Sequence, residues 1–327
     1  MKTFEIIIAG GGHAGVEAAA IAAKMGAKTL LVTPLISQIA AISCNPAIGG
    51  LGKSHLAKEA DILGGAMGVL TDAAALQYRV LNESKGEAVR GTRVQIDMDA
   101  YPIAARDLLL RLENLTISQD LIEELIVENG WVAGVITRLG IEYRAKAAIL
   151  CGGTFLNGLV HIGEKSLKMG RIGEMPSINL AEQLRALGFE IGRLKTGTCP
   201  RVDAKSIDFA ALERQANQEN PKPFSIHTRN FAPRQLPCYL AYTNAATHEI
   251  ISGNFHRAPL FTGQILGTGP RYCPSIEDKI SRFADRASHQ IFVEPMSREA
   301  NEYYLNGLST SLPRDVQEKF VRSMAGF

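Results

Sequence analysis

The hydrophobic pattern begins with an apolar run, Glu5 to Ala9, that fits a strand buried on both faces. Glycines follow at once, and Val16 to Met25 is an alanine-rich helical stretch that stops at Gly26. Thr29 to Thr33 predicts a second strand. Leu56 to Leu63 predicts a helix with Ser54 as its N-cap. Ile122 to Val127 and Trp131 to Thr137 alternate as strands, joined over Glu128-Asn129-Gly130, a hairpin signature because Asn-Gly accepts positive φ at both turn positions. The chain then runs through Tyr143 to Lys146 into the apolar strand Ala147 to Cys151, which ends in Gly152-Gly153-Thr154. Residues 1–197 therefore read as α/β, interrupted by a polar stretch, Asn82 to Gly91, expected to be a mobile loop. From Thr198 to about Gly269 the texture changes: Pro200, Pro221, Pro223, Pro233, Pro237 and Pro259 punctuate short strands such as Tyr239 to Thr243, which predicts a small inserted α+β domain. From Ser275 the pattern is helical again, so residues 270–327 are expected to rejoin the first domain.

The early glycines carry chemistry. Gly10, Gly11, Gly12, His13, Ala14 and Gly15 form G-x-G-x-x-G between a strand and a helix, the context in which backbone approaches a pyrophosphate whose charge rests on the helix N-terminus. Where many such folds place an Asp or Glu for a ribose hydroxyl, this chain has Thr33, so that contact needs another group. A β-meander followed by a strand running into Gly-Gly is the arrangement of two-dinucleotide-binding, glutathione-reductase-like flavoproteins. It favours FAD over NAD in the cradle and a Rossmann-like FAD domain as the fold.

At 327 residues and 46% hydrophobic, the chain can bury a sizeable core and hold more than one domain. A net charge of +2 gives no basic footprint for a polyanion. The N-terminus is neither a signal peptide nor a membrane span. Five cysteines, odd in number and without C-x-x-C spacing, point to reduced thiols and a cytoplasmic setting. His55, His161 and His289 do not have metal-ligand spacing, and no metal site is expected.

Two thiols stand out. Cys44 precedes a glycine-rich loop whose backbone N–H groups, with Lys53 nearby, favour a thiolate. Gly52-Lys53-Ser54 imitates the end of a phosphate-binding P-loop, but the first required glycine falls on Ala47 and no apolar strand precedes it, so a nucleoside triphosphate site is rejected. Cys273 lies two residues after Arg271 and two before Ser275, which with Asp278 forms a capping-box-like helix start; both features favour the thiolate. Cys151 reads as core and Cys238 as structural, while Cys199 stays undecided. Lys85, Arg90 and Arg93 in the mobile loop, with Arg79 upstream, are candidates for a phosphate or a polyglutamate tail, against the plainer reading of a solvated loop face. His13 reads as a packing or cofactor-adjacent residue rather than a base.

The segments GGGHAG, SCNPAIGGLGKSHLAKEADILGG, LNESKGEAVRGTRVQID, GGTFLNGLVHIG, GRLKTGT, GPRYCPSIEDKISRFADRASHQIFVEP and YLNGLSTSLPRDVQ occur in order over essentially the whole chain. Together they resemble the bacterial and mitochondrial tRNA uridine 5-carboxymethylaminomethyl modification enzymes, the GidA/MnmG family. The resemblance implies an enzyme dependent on FAD and NADH that acts on C5 of the wobble uridine of tRNA. It further implies methylenetetrahydrofolate as one-carbon donor, a homodimer, and an MnmE-type GTPase partner in a heterotetramer. It implies Cys44 and Cys273 as the catalytic pair, with their division of labour open. Ile122 would contact the adenine through its backbone and Ser177 the FAD. It also implies an NAD segment comprising Gly269, Pro270, Arg271, Tyr272, Cys273, Pro274, Ser275, Ile276, Glu277, Asp278, Lys279, Ile280, Ser281, Arg282 and Phe283.

The chain departs from the family pattern at Cys199, where a proline is usual, and at Met296-Ser297, where Glu-Gly is usual. It ends at Phe327, before the later FAD segment and the helical tRNA-binding domain that the family carries, so weak FAD binding and no modification by this chain alone are expected. Alternative readings are a folate- and FAD-dependent tRNA uracil C5 methyltransferase, or a noncatalytic module that binds FAD or a partner.

Overall fold

The computed structural model describes residues 2–267, 269 and 274–327. Its first half runs β1 (Lys2–Ala9), α1 (His13–Lys24), β2 (Thr29–Thr33), β3 (Ala47–Gly49), α2 (Lys53–Ile62), α3 (Met67–Ala73), β4 (Ala75–Leu81), β5 (Gly91–Ile96) and α4 (Ala100–Leu110). Then come β6 (Leu115–Gln119), β7 (Ile122–Glu128), β8 (Trp131–Thr137), β9 (Glu142–Leu150), the small hairpin β10 (Val160–Ile162) and β11 (Lys165–Leu167), and α5 (Asn179–Ala186). A six-stranded sheet has the order β6-β2-β1-β9-β8-β7, with β1 parallel to both β2 and β9 and β7 to β9 forming an antiparallel meander. Asn129 and Gly130 take positive φ in the hairpin, as their sequence requires.

The centre of the sheet is buried on both faces, which is why β1 and β2 read as unbroken apolar runs. Ile8 and Leu31 face one core with Val16, Ala19 and Ala20 of α1 and Tyr101 and Leu109 of α4. Ile7, Leu30 and Val32 face the other, with Ile122 and with Leu180 and Leu184 of α5. Against the first core packs an antiparallel sheet of order β3-β5-β4. The polar stretch between β4 and β5 forms two short 3-10 turns, Glu83–Lys85 and Glu87–Val89.

The second half comprises β12 (Arg201–Asp203), β13 (Glu213–Gln215), β14 (Cys238–Tyr242), α6 (Ala245–Ser252), α7 (Ile276–Arg282), β15 (Gln290–Pro295), β16 (Glu302–Asn306) and α8 (Arg314–Arg322). All five strands form one antiparallel sheet, β12-β16-β15-β14-β13. Of residues 270–327, expected to be helical and to rejoin the first domain, the described part, 274–327, instead supplies two strands, α7 and α8 to this second sheet and its core. The physical reason is the period-2 alternation of β15 and β16: Ile291, Val293, Tyr303 and Leu305 enter the second core, while Glu294 and Tyr304 face the other way. That core is closed by Ile251 of α6, Ile276 and Ile280 of α7, and Val316 and Phe320 of α8.

The opposite face of the second sheet is fixed to the first domain. Met98 N–H donates to Met296 O (2.8 Å), the Gln95 side chain to Pro295 O (3.1 Å), and Arg298 N–H to the Asp97 carboxylate (2.7 Å).

Phe320 is fully buried in the second core. Phe320→Ala is expected to cost about 3–5 kcal/mol in denaturant unfolding. A loss under about 1 kcal/mol would contradict the assignment of α8 to that core.

Candidate active site

The cradle is built by close approach. Gly10 has φ of +107°, and a Cβ there would lie 2.5 Å from Cys151 O; a Cβ on Gly15 would lie 1.8 Å from Gly10 O. A Cβ on Gly11 would meet the Thr33 hydroxyl at 2.7 Å, so Thr33 packs beneath the turn. Gly12 differs: a Cβ there meets nothing within 4 Å. Gly12 is the N-cap of α1, no side chain caps the helix, and no acidic residue lies in its first turn, so no side chain of that turn offsets the positive end of the helix dipole. His13 packs on Tyr101, ring centroids 5.4 Å apart, and burial lowers its pKa, which keeps the imidazole neutral.

Ser177 and Ile122 are brought together: the buried Ser177 hydroxyl donates to Ile122 O at 2.8 Å. That bond holds the start of β7 against the chain leading into α5.

From Gly11 the backbone reaches toward Cys44, with Ala40 N–H donating to Gly11 O (2.8 Å). Two arginines pin Ser43: Arg171 donates to its hydroxyl at 2.9 Å and Arg201 to its carbonyl at 3.2 Å. The Cys44 thiol, half-buried, donates to Gly197 O at 3.2 Å and lies 3.2 Å from the Tyr304 hydroxyl. Tyr304 Oη also accepts from Cys199 N–H at 3.2 Å, so one hydroxyl sits between the Cys44 and Cys199 thiols. Burial and the two neighbouring thiols raise the pKa of Tyr304, which stays protonated as a donor.

Cys199 is buried beside this hydroxyl, and burial pushes its thiol up to about 11. Cys238, also raised by burial, lies near Glu294 and Arg93, and Cys151 is half-buried at the end of β9. Neither Cys199 nor Tyr304 stands out as a site residue in the sequence; the one signal was a thiol at a turn where the family has proline.

The loop after Cys44 folds differently from its sequence reading. α2 starts at Lys53 with Gly52 (φ +72°) as N-cap, and Ser54 is buried within its first turn rather than capping it. Cys273, with Pro270, Arg271 and Tyr272, lies outside the described residues. Its described flanks bear on the turn that holds Cys44. A Cβ on Gly269 would meet Lys195 at 2.8 Å, the Asp278 carboxylate lies 4.0 Å from Lys195 Nζ, and Ile276 N–H donates to Ser309 O at 2.7 Å. A Cβ on Gly197 would in turn meet the Ser309 hydroxyl at 2.1 Å. Ser275 caps α7 as predicted, accepting from Asp278 N–H at 3.1 Å. Arg93, read as part of the mobile loop, stands instead on β5, where it pairs with the buried Glu294 at 2.5 Å, and Arg79 stands on β4. Among the described residues no cluster of His, Cys, Asp and Glu is arranged to hold a metal.

Comparison with known proteins decides the family. The model of the family described as glucose inhibited division protein A matches residues 5–327. The chain belongs to this GidA family. It is 62% identical over its whole length to the tRNA uridine 5-carboxymethylaminomethyl modification enzyme MnmG of Wolinella succinogenes, and 59% identical to that of Helicobacter pylori. In each case it spans 52% of the relative, so the chain covers about half the length of the curated relatives it matches. The solved structure of Aquifex aeolicus GidA superposes on 99% of the chain with a TM-score of 0.94 at 45% identity, the match covering 55% of that protein. The α/β fold with a parallel-stranded, Rossmann-like dinucleotide-binding sheet is thereby shared with GidA. No helix among the described residues is long and apolar enough to cross a membrane.

Two outcomes are expected. Gly15→Ala, which forces a carbon into Gly10 O, should lower thermal stability by several degrees, whereas Gly12→Ala should leave it within a degree; equal melting temperatures for the two variants would contradict the close approach. Brief alkylation of the native protein at pH 8, read by peptide mass mapping, should label Cys44 and spare the buried, protonated Cys199 and Cys238. Labelling of Cys199 ahead of Cys44 would contradict the burial described.

Proposed function

We propose that this chain is the flavin- and thiol-bearing half of a tRNA modification enzyme that acts at C5 of the wobble uridine. The observation that carries the reading is the placement of Cys44. One backbone path leads from the dinucleotide cradle to a thiol held by Gly197 O and the Tyr304 hydroxyl, at the seam between the two sheets. The names of the relatives supply the reaction.

The cradle fits FAD. The open space at Gly12 and the uncapped N-terminus of α1 suit a pyrophosphate, and the meander carrying Ile122 and Ser177 lies where the adenine end would run. FAD, reduced by NADH, supplies hydride chemistry when bound. Gly269 to Phe283 is the segment proposed for NADH, and methylenetetrahydrofolate the one-carbon donor. Cys44 and Cys273 form the catalytic thiol pair. One of them adds to C6 of the uracil ring, which makes C5 nucleophilic toward the one-carbon unit, and leaves when C5 has been substituted. Tyr304 and Gly197 hold Cys44 in register, while neutral His13 packs beside the cradle. The complete enzyme works in the cytoplasm as a homodimer with an MnmE-type GTPase.

The test uses the full-length enzyme with its GTPase partner. Cys44→Ser and Cys273→Ser are each expected to lower tRNA modification at least a thousandfold, measured by nucleoside mass spectrometry, with flavin content within about a fifth of wild type. Near wild-type modification in either variant would contradict the role given to that thiol.

A further inference from the structure

Sulfur collects where the second sheet docks on the first domain. Cys199, Met296 and Tyr304 form a small buried cluster of their own, and Cys44 and Met98 pack against it. Met98 N–H donates to Met296 O at 2.8 Å, which holds the two thioether residues side by side across the seam. On the other flank the Cys44 sulfur meets one short turn twice. It donates to Gly197 O at 3.2 Å and lies 3.2 Å from the Tyr304 hydroxyl, which itself accepts from Cys199 N–H at 3.2 Å. The two thiols are near enough for the charge of one to act on the other.

Two of these sulfurs replace the residues usual in the family. Cys199 stands where proline is usual and Met296 where glutamate is usual, and neither of those residues could supply a sulfur. The two departures lie far apart in the chain, so no ligand spacing announces them, yet they share one cluster with Cys44. That cluster is open to a small solute. Met98 and Met296 line a cavity of about 240 Å³ whose wall also carries the exposed carboxylates of Asp99 and Glu302, and Cys44 is half-buried. Carboxylates at the entrance raise the local concentration of cations, and the sulfurs behind them select soft ones. Thiolate and thioether together favour Cu(I), which needs none of the imidazole or carboxylate ligands of a zinc or calcium centre.

We propose that Cys44, Cys199 and Met296 form a binding site for a soft monovalent cation, Cu(I). The ion enters past Asp99 and Glu302. Each thiol gives its proton to water as its sulfur–copper bond forms, and the Met296 thioether is the third donor. Occupancy takes the Cys44 thiol out of chemistry. The inference goes beyond the uridine reaction, and its test needs neither flavin nor tRNA.

The test titrates the chain with Cu(I) under anaerobic conditions against a chromophoric Cu(I) chelator, and follows Cys44 by alkylation with peptide mass mapping. One ion per chain is expected, with alkylation of Cys44 slowed about a hundredfold at saturation. Cys199→Ala should weaken binding about a hundredfold, and Met296→Leu, which removes the sulfur at nearly constant volume, about tenfold. Cys199→Pro, which restores the family residue, carries the test if Cys199→Ala unfolds. Failure to compete with the chelator would overturn the proposal. So would bound copper that leaves Cys44 open to alkylation, or unchanged affinity in Cys199→Ala or Met296→Leu. Loss of binding in Cys273→Ser with Cys199→Ala unaffected would also overturn it, by placing the ion on the thiol pair proposed for the uridine reaction.

Discussion

The structure depends on the contact between Gly15 and Gly10 O. A strand, a tight turn and a helix can be stacked this closely only if two positions carry no side chain, since a single carbon on Gly15 would sit 1.8 Å from a carbonyl oxygen. The approach fixes α1 across the end of β1 and seats the turn on Cys151 at the end of β9, so the parallel centre of the sheet and the cradle are one construction. Gly12 is exempt from this crowding. That contrast separates glycines the fold requires from a glycine that leaves room for something else.

The second constraint is the face-to-face docking of the later sheet. Glu294 and Tyr304 are cross-strand partners on β15 and β16, so both side chains leave the sheet on one face. One meets Arg93 and the other Cys44. A single pair of residues thus couples the Arg93 contact to the Cys44 thiol. The buried ion pair is weak evidence for stability in itself, because the desolvation of Glu294 opposes its attraction to Arg93; its firmer consequence is a fixed register between the sheets.

Much of the first domain was legible in the sequence because its signals are local. The glycine cradle, the Asn-Gly hairpin and the apolar runs of β1 and β2 each follow from neighbouring residues. The return of β15 and β16 to the inserted segment was not legible. Pairing Glu294 with Tyr304 is visible nearby, but pairing β16 with β12 across about a hundred residues is a tertiary choice that no short pattern encodes. The same holds for the site: Cys44 announces itself through its glycine-rich loop, whereas Tyr304 and Gly197 acquire meaning only when the sheets meet. Ser54 shows the local limit, since Gly52 at positive φ takes the N-cap two residues before it and leaves the serine inside the helix.

The central claim is that the turn at Gly10 to Gly15 is a flavin dinucleotide site whose open position is Gly12. The direct measurement is a fluorescence titration of FAD into the wild-type chain and into Gly12→Val, with thermal melting recorded for both. The account predicts saturable quenching by the wild type, its loss by at least a hundredfold in affinity in Gly12→Val, and matching melting curves. Equal FAD affinity in the two proteins would contradict it.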